Sequence, residues 1–191
     1  MYIEKQSEQI MKRIDEFGGK LYLEFGGKLF DDFHASRVLP GFKPDSKLQM
    51  LLKLKDHAEV VIVISAGDIE SNKIRGDYGI TYDSDVLRLM DAFSSAGLFV
   101  GSVVINQFNG QPAAVKFKEK LQNLGIKVFI HYTIDGYPYN VRGIVSENGF
   151  GKTEYIDTSR PLVVITAPGP GSGKMSTCLS QLYPENRRGN K

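Results

Sequence analysis

The run Val60-Val61-Ile62-Val63-Ile64 constrains this chain more than any other stretch. It is apolar without alternation, and Glu59 and Ser65 bound it at strand length. Side chains alternate between the two faces of a strand, so an unbroken apolar run needs cover on both sides. A parallel sheet sandwiched between helices supplies that cover; an antiparallel sheet with one wet face does not.

The remainder of the chain repeats the same unit. Ile10, Met11, Ile14 and Phe17 fall at helical spacing before Gly18-Gly19, and Leu21–Phe25 reads as a short strand. Ser46 is placed to cap a helix whose apolar face is Leu48, Leu51 and Leu52. Val86, Leu89, Met90 and Phe93 sit at i, i+3, i+4 and i+7 behind a cap at Asp83 or Ser84. Leu98–Ile105 is the next strand. Ala114, Phe117, Leu121 and Leu124 then line a helix with Pro112 near its first turn. Ile126–His131 and Leu162–Thr166 complete the strands. Alternating strand and helix predict an α/β fold, a three-layer sandwich with a mostly parallel sheet, P-loop-like or Rossmann-like. Strand order does not follow from the pattern. Phe33–Lys43 and the Gly-, Tyr- and Asn-rich stretch Asp135–Thr158 fit this rhythm poorly and read as long loops.

Composition narrows the function classes. The net charge of +2 gives no ground for nucleic acid or an anionic membrane as a partner. The single cysteine, Cys178, excludes an internal disulfide. Met1–Phe17 is charged and amphipathic rather than a signal peptide, and the apolar runs are too short to span a bilayer. The expected location is therefore cytoplasmic.

The sharpest local feature follows the last strand: Thr166-Ala167-Pro168-Gly169-Pro170-Gly171-Ser172-Gly173-Lys174-Met175-Ser176-Thr177. Strand, glycines, lysine and helix in that order suit a phosphate cradle. Glycines let the backbone approach an anion closely, and the following helix start adds partial positive charge. The candidate binding residues are Gly169, Gly171, Ser172, Gly173, Lys174, Ser176 and Thr177. The match to G-x-x-x-x-G-K-[ST] fails twice, because Pro168 stands at the first glycine and Met175 follows the lysine. Asp68, beyond the Val60–Ile64 strand, is a partner carboxylate only if the sheet sets that strand alongside. The alternative is a strand-to-helix turn with a solvated lysine.

These residues, with Lys20–Lys28, Phe33–Gly41 and Asn72–Asp83, make the chain resemble the bacterial uncharacterised family catalogued as domain of unknown function 1846. The resemblance runs from the amino terminus to about Tyr183. It implies a longer architecture in family members, with further α/β structure after the glycine turn, and no activity to carry over. Domain boundaries are accordingly expected at 1–183, with 184–191 a divergent, disordered tail.

Glu24, Lys28, His34 and Arg37 cluster after the first strand, around Gly26-Gly27. Ligands in open α/β sheets sit outside the carboxyl ends of strands, which makes these four substrate candidates. Arg75, Asp77 and Asp83 are the others, Arg75 as a bidentate phosphate ligand and the acids as base or metal ligand. A salt-bridged loop with Asp83 as helix cap is the alternative. No Cys/His spacing matches structural zinc, and no G-x-S-x-G elbow is present. The functional expectation is binding of a phosphorylated small molecule or nucleotide, with a divalent cation. A homo-oligomeric assembly module and an inactive fragment are the competing expectations.

Overall fold

The computed structural model describes residues 2–25, 29–30, 33–38 and 40–189. In chain order the elements are α1 (Tyr2–Phe17), β1 (Leu21–Glu24), α2 (Phe33–Val38), α3 (Ser46–Lys53), β2 (Ala58–Ser65) and α4 (Ala66–Glu70). There follow β3 (Ile74–Arg75), β4 (Ile80–Thr81), α5 (Tyr82–Ser95), β5 (Phe99–Phe108), α6 (Pro112–Asn123) and β6 (Val128–Tyr132). Then come α7 (Val141–Ile144), β7 (Leu162–Thr166) and α8 (Lys174–Arg187). Among the described residues five strands form one parallel sheet in the order β1-β7-β2-β5-β6, and β3 and β4 form a separate antiparallel hairpin.

Strand β2 explains the layering. Val60, Ile62 and Ile64 face a core shared with Ile14 of α1, Leu51 of α3, Phe93 of α5 and Phe117 of α6. Val61 and Val63 face the opposite core, built with Val163, Ile165, Ile156 and Cys178 of α8. All five of these β2 side chains are fully buried. Each contributes about 1.5–3 kcal/mol through removal from water, so neither face tolerates a polar substitution. The result is the three-layer α/β sandwich expected from the apolar run.

Strand order accounts for which face each connection covers. The steps β2 to β5 to β6 move one way across the sheet, and α5 and α6 cover one face. The step from β6 to β7 moves back, so a right-handed return must pass over the other face, where Ile156 is packed. That return, expected as a loop at Asp135–Thr158, contains α7 and a 3₁₀ turn at Phe150–Lys152. It also guards the open edge of β6: Ile130 N–H donates to Glu154 Oε2 at 2.7 Å, and Glu154 N–H donates to Ile130 O at 3.1 Å.

Three local expectations shift. Helix α3 begins at Ser46 behind Asp45, and the Ser46 hydroxyl instead accepts from Lys43 N–H at 2.8 Å. Thr81 occupies the N-cap position of α5, leaving Asp83 in its first turn. Helix α8 passes Tyr183 and runs to Arg187, carrying Pro184 within it. Glu185 is buried and takes a hydrogen bond from the Tyr155 hydroxyl. Residues 184–187 are thus helical, with Glu185 packed and Asn186 and Arg187 exposed, while 190–191 lie outside the described residues. Among the described residues no helix is long and apolar enough to cross a membrane.

Candidate functional site

Because the sheet is parallel, the carboxyl ends of β1, β7, β2, β5 and β6 share one edge, and the glycine turn leaves β7 there. Two of its glycines are demanded by neighbours. A Cβ on Gly169 would meet the Tyr82 hydroxyl oxygen at 2.2 Å. Gly173 has φ of +87°, and a Cβ on it would meet Asn106 Nδ2 at 2.0 Å. Both contacts are far inside van der Waals distance, so the turn closes only on glycine.

The Gly173 carbonyl is held from three sides. It accepts from Thr177 N–H at 2.9 Å, from the Thr177 hydroxyl at 3.0 Å and from Asn106 Nδ2 at 3.2 Å. Thr177 is fully buried by this arrangement. Ser172 is likewise buried, its hydroxyl donating to Gly169 O at 3.0 Å. Both hydroxyls, expected as ligand contacts, are engaged by the backbone and stiffen the turn. Ser176 differs: it lines the cleft, and its hydroxyl has no hydrogen-bond partner among the described residues.

The first amides of α8 have no intrahelical acceptor. Among the described residues the N–H groups of Gly171 and of Gly173 through Ser176 donate to no protein oxygen. Lys174 reaches back over this turn. Its Nζ lies 3.8 Å from Glu24 Oε1 at the end of β1, and its side chain is only 15% exposed, so the ammonium is turned inward. Lys174 lines two clefts.

The larger cleft, about 610 Å³, is bounded by Glu24, Gly171, Gly173, Lys174 and Ser176, by Asn106, Gln107, Asn109 and Gln111, and by Thr133 and Tyr137. The smaller, about 450 Å³, lies between Thr166–Pro170 and the wall formed by Arg75, Asp77, Tyr82 and Arg88. Arg75 in that wall is already engaged. Nη1 donates to Asp85 Oδ2 at 2.6 Å, and Nε and Nη2 grip the Asp77 carboxylate at 2.9 and 3.3 Å. Arg88 completes the cluster at 2.6 Å from Asp85 Oδ1. Arg75 and Asp77 therefore stand in a cleft wall as part of an ion-pair network.

The other candidates separate. Glu24 joins the turn. Asp83 and the exposed Arg37 line neither cleft. Gly26, Gly27 and Lys28 lie outside the described residues; His34 falls within α2, but its side chain is not among those described. The sheet does set β2 beside β7, yet Asp68 pairs with Lys73 at 3.0 Å and lines neither cleft. Among the described residues no group of three or more His, Cys, Asp or Glu is disposed to hold a metal ion.

Cys178, one turn beyond Lys174, is buried, and its thiol is pushed up to about 12, chiefly by burial and further by the Glu24 carboxylate. It stays protonated at neutral pH, which removes it as a nucleophile and leaves it a small apolar filler.

Sequence reasoning missed the β5 side of the cleft. The signal was present: the strand expected to end at Ile105 is followed by Asn106-Gln107-Phe108-Asn109-Gly110-Gln111, a polar run at the carboxyl end of a parallel strand.

The family model for the amino-terminal part of domain of unknown function DUF1846 matches residues 1–191, so the segment 184–191 lies inside the match. A UPF0371 protein of Streptococcus thermophilus is 55% identical over 190 residues, covering 100% of this chain and 38% of the relative. One from Clostridium botulinum is 60% identical over 189 residues, covering 99% of this chain and again 38% of the relative. The chain thus spans about two fifths of the length of the curated relatives it matches. On this match, the chain belongs to the DUF1846 family, in the amino-terminal part of its architecture.

Proposed function

We propose that this domain binds the phosphate of a small molecule or nucleotide at the turn Gly169–Lys174 and the first turn of α8. One observation carries the reading: Gly171, Gly173, Met175 and Ser176, whose amides are unengaged among the described residues, and an inward-turned Lys174 line the same open cleft. Such amides and a helix start favour an anion, and the lysine adds a full charge. Glu24 holds that charge in place while the site is empty, and an incoming phosphate competes for it. A divalent cation carried in with the phosphate would meet the Glu24 carboxylate and the Ser176 hydroxyl, both in the cleft lining. Titration calorimetry at low salt with inorganic phosphate and ATP tests this. Lys174→Ala is expected to weaken binding about tenfold or more, a charged hydrogen bond contributing about 1.5–3 kcal/mol. Equal heats in both proteins, or no heat in either, would end the proposal.

A second reading, an assembly module, rests on a different surface. Tyr137, Val141, Val145, Leu179 and Leu182 line an apolar groove of about 530 Å³ beside α8, each between 40% and 65% exposed. Exposed apolar patches of this kind mark interaction sites. A defined oligomer by light scattering, lost in Leu182→Glu, supports it; a monomer throughout removes it.

A further inference from the structure

We infer that the large cleft takes a phosphorylated sugar, its phosphate on the glycine turn and its hydroxyls against Gln107, Asn109 and Thr133. This rests on the phosphate reading above and adds the class of body the phosphate is attached to.

The cleft is divided chemically. Its charged groups, Lys174 and Glu24, stand at the turn, whereas its β5–β6 wall is neutral and polar. That wall is built rather than incidental. The pairing of β5 with β6 slips between Ile105 and Phe108, and Gln107 sits at φ of +54°, a left-handed conformation for a non-glycine residue. Asn106 Oδ1 accepts from Gln107 N–H at 2.8 Å and holds this bulge, while its Nδ2 holds Gly173. Bulge and turn are therefore positioned by one side chain.

The hydrogen bonds within the wall leave a defined set of groups unused. Ser65 donates to Gln107 Oε1 at 2.9 Å, which orients the amide and leaves its Nε2 as a donor. Asn109 Nδ2 donates to Thr133 Oγ1 at 2.9 Å, which leaves Asn109 Oδ1 as an acceptor and the Thr133 hydroxyl hydrogen as a donor. Among the described residues these groups have no other partner. Adjacent neutral donors and an acceptor match hydroxyls, which both give and take a hydrogen bond. Carboxylates or amines on the ligand would call for countercharge on this wall, and it has none.

A nucleobase fits less well. It presents two apolar faces, and aromatic side chains are the usual platforms for them. Tyr132 is already packed edge-on against Phe108 at 6.3 Å and overhung by Lys152 at 5.2 Å. Tyr137, 40% exposed, is left as the free aromatic face, and one face suffices for the C–H side of a sugar ring.

Calorimetry on the whole chain decides among the ligand classes, with inorganic phosphate, a panel of hexose and pentose monophosphates including ribose 5-phosphate, and AMP as probes. At least one sugar monophosphate is expected to bind ten or more times tighter than inorganic phosphate. Gln107→Gly combined with Asn109→Ala is expected to close that gap. Glycine accepts the backbone conformation at 107 and Asn109 is exposed, so the variant keeps the fold. If sugar monophosphates and inorganic phosphate bind equally, and both depend on Lys174, the inference fails while the phosphate reading stands. AMP binding more tightly than ribose 5-phosphate overturns it in favour of a base-bearing ligand. Binding of none of the probes sinks both readings together.

Discussion

Acidification is expected to weaken this protein through one buried histidine. His131 on β6 is 2% exposed, and its Nε2 lies 3.0 Å from Glu154 O, which fixes the proton on Nε2 in the neutral ring. Burial pushes its pKa down from 6.5 to about 4, and the carbonyl bond opposes that only in part. The unfolded chain takes up a proton here below about pH 6.5, while the native chain stays neutral until about pH 4. Stability from this residue is therefore complete above pH 6.5, falls as pH drops, and levels off below about 4. At about 1.4 kcal/mol per pKa unit the full gap is about 3 kcal/mol, of which about 2 kcal/mol is lost by pH 5. Urea unfolding at pH 7.5 and 5 measures it, comparing the parent protein with His131→Gln and, as a control, with His57→Gln at an exposed position. Between the two pH values the parent should lose about 2 kcal/mol more than His131→Gln, and His57→Gln should follow the parent. Parallel pH profiles for the parent and His131→Gln would refute the reasoning.

Asp85→Asn should destabilise by about 3–5 kcal/mol in urea unfolding, because Arg75 and Arg88, each 2.6 Å from the fully buried carboxylate, lose their shared countercharge. Gly173→Ala should cost about 1–3 kcal/mol by thermal melting, more than Gly171→Ala. Both have positive φ, but only at 173 does a Cβ meet a neighbour; equal losses would contradict the assigned clamp. Cys178 should resist iodoacetamide in the native protein and react once urea exposes it; rapid native labelling would show that the thiol is neither buried nor held protonated.

The sheet was legible in the sequence because its central strands are covered on both faces, so Val60–Ile64 and Leu162–Ile165 carry their burial in their composition. Strand order was not, since a parallel strand reads the same whichever neighbour it pairs with. The hairpin of Ile74–Arg75 and Ile80–Thr81 escaped notice because two-residue strands have no period to detect. In the candidate site, the glycines and Lys174 announced themselves by type and spacing. The engagement of the Ser172 and Thr177 hydroxyls with the turn's own carbonyls was not legible, because a hydroxyl beside a tight turn bonds the backbone only once the turn has formed. Gln107 and Asn109 showed only as part of a polar run after Ile105, because their placement depends on a bulge, which is set by pairing with β6 rather than by local preference. Arg75 suited a phosphate by residue type, and its engagement with Asp77 and Asp85 emerges only when α5 packs beside the hairpin.

Asn106 reaches Gly173 from two strands away, since β2 lies between β5 and β7. The shape of the loop is consequently borrowed from elsewhere in the chain. Transplanted alone into another protein, residues 169–174 would leave that support behind and relax. In its own setting the same tether joins the end of β5 to the residue that precedes the helix.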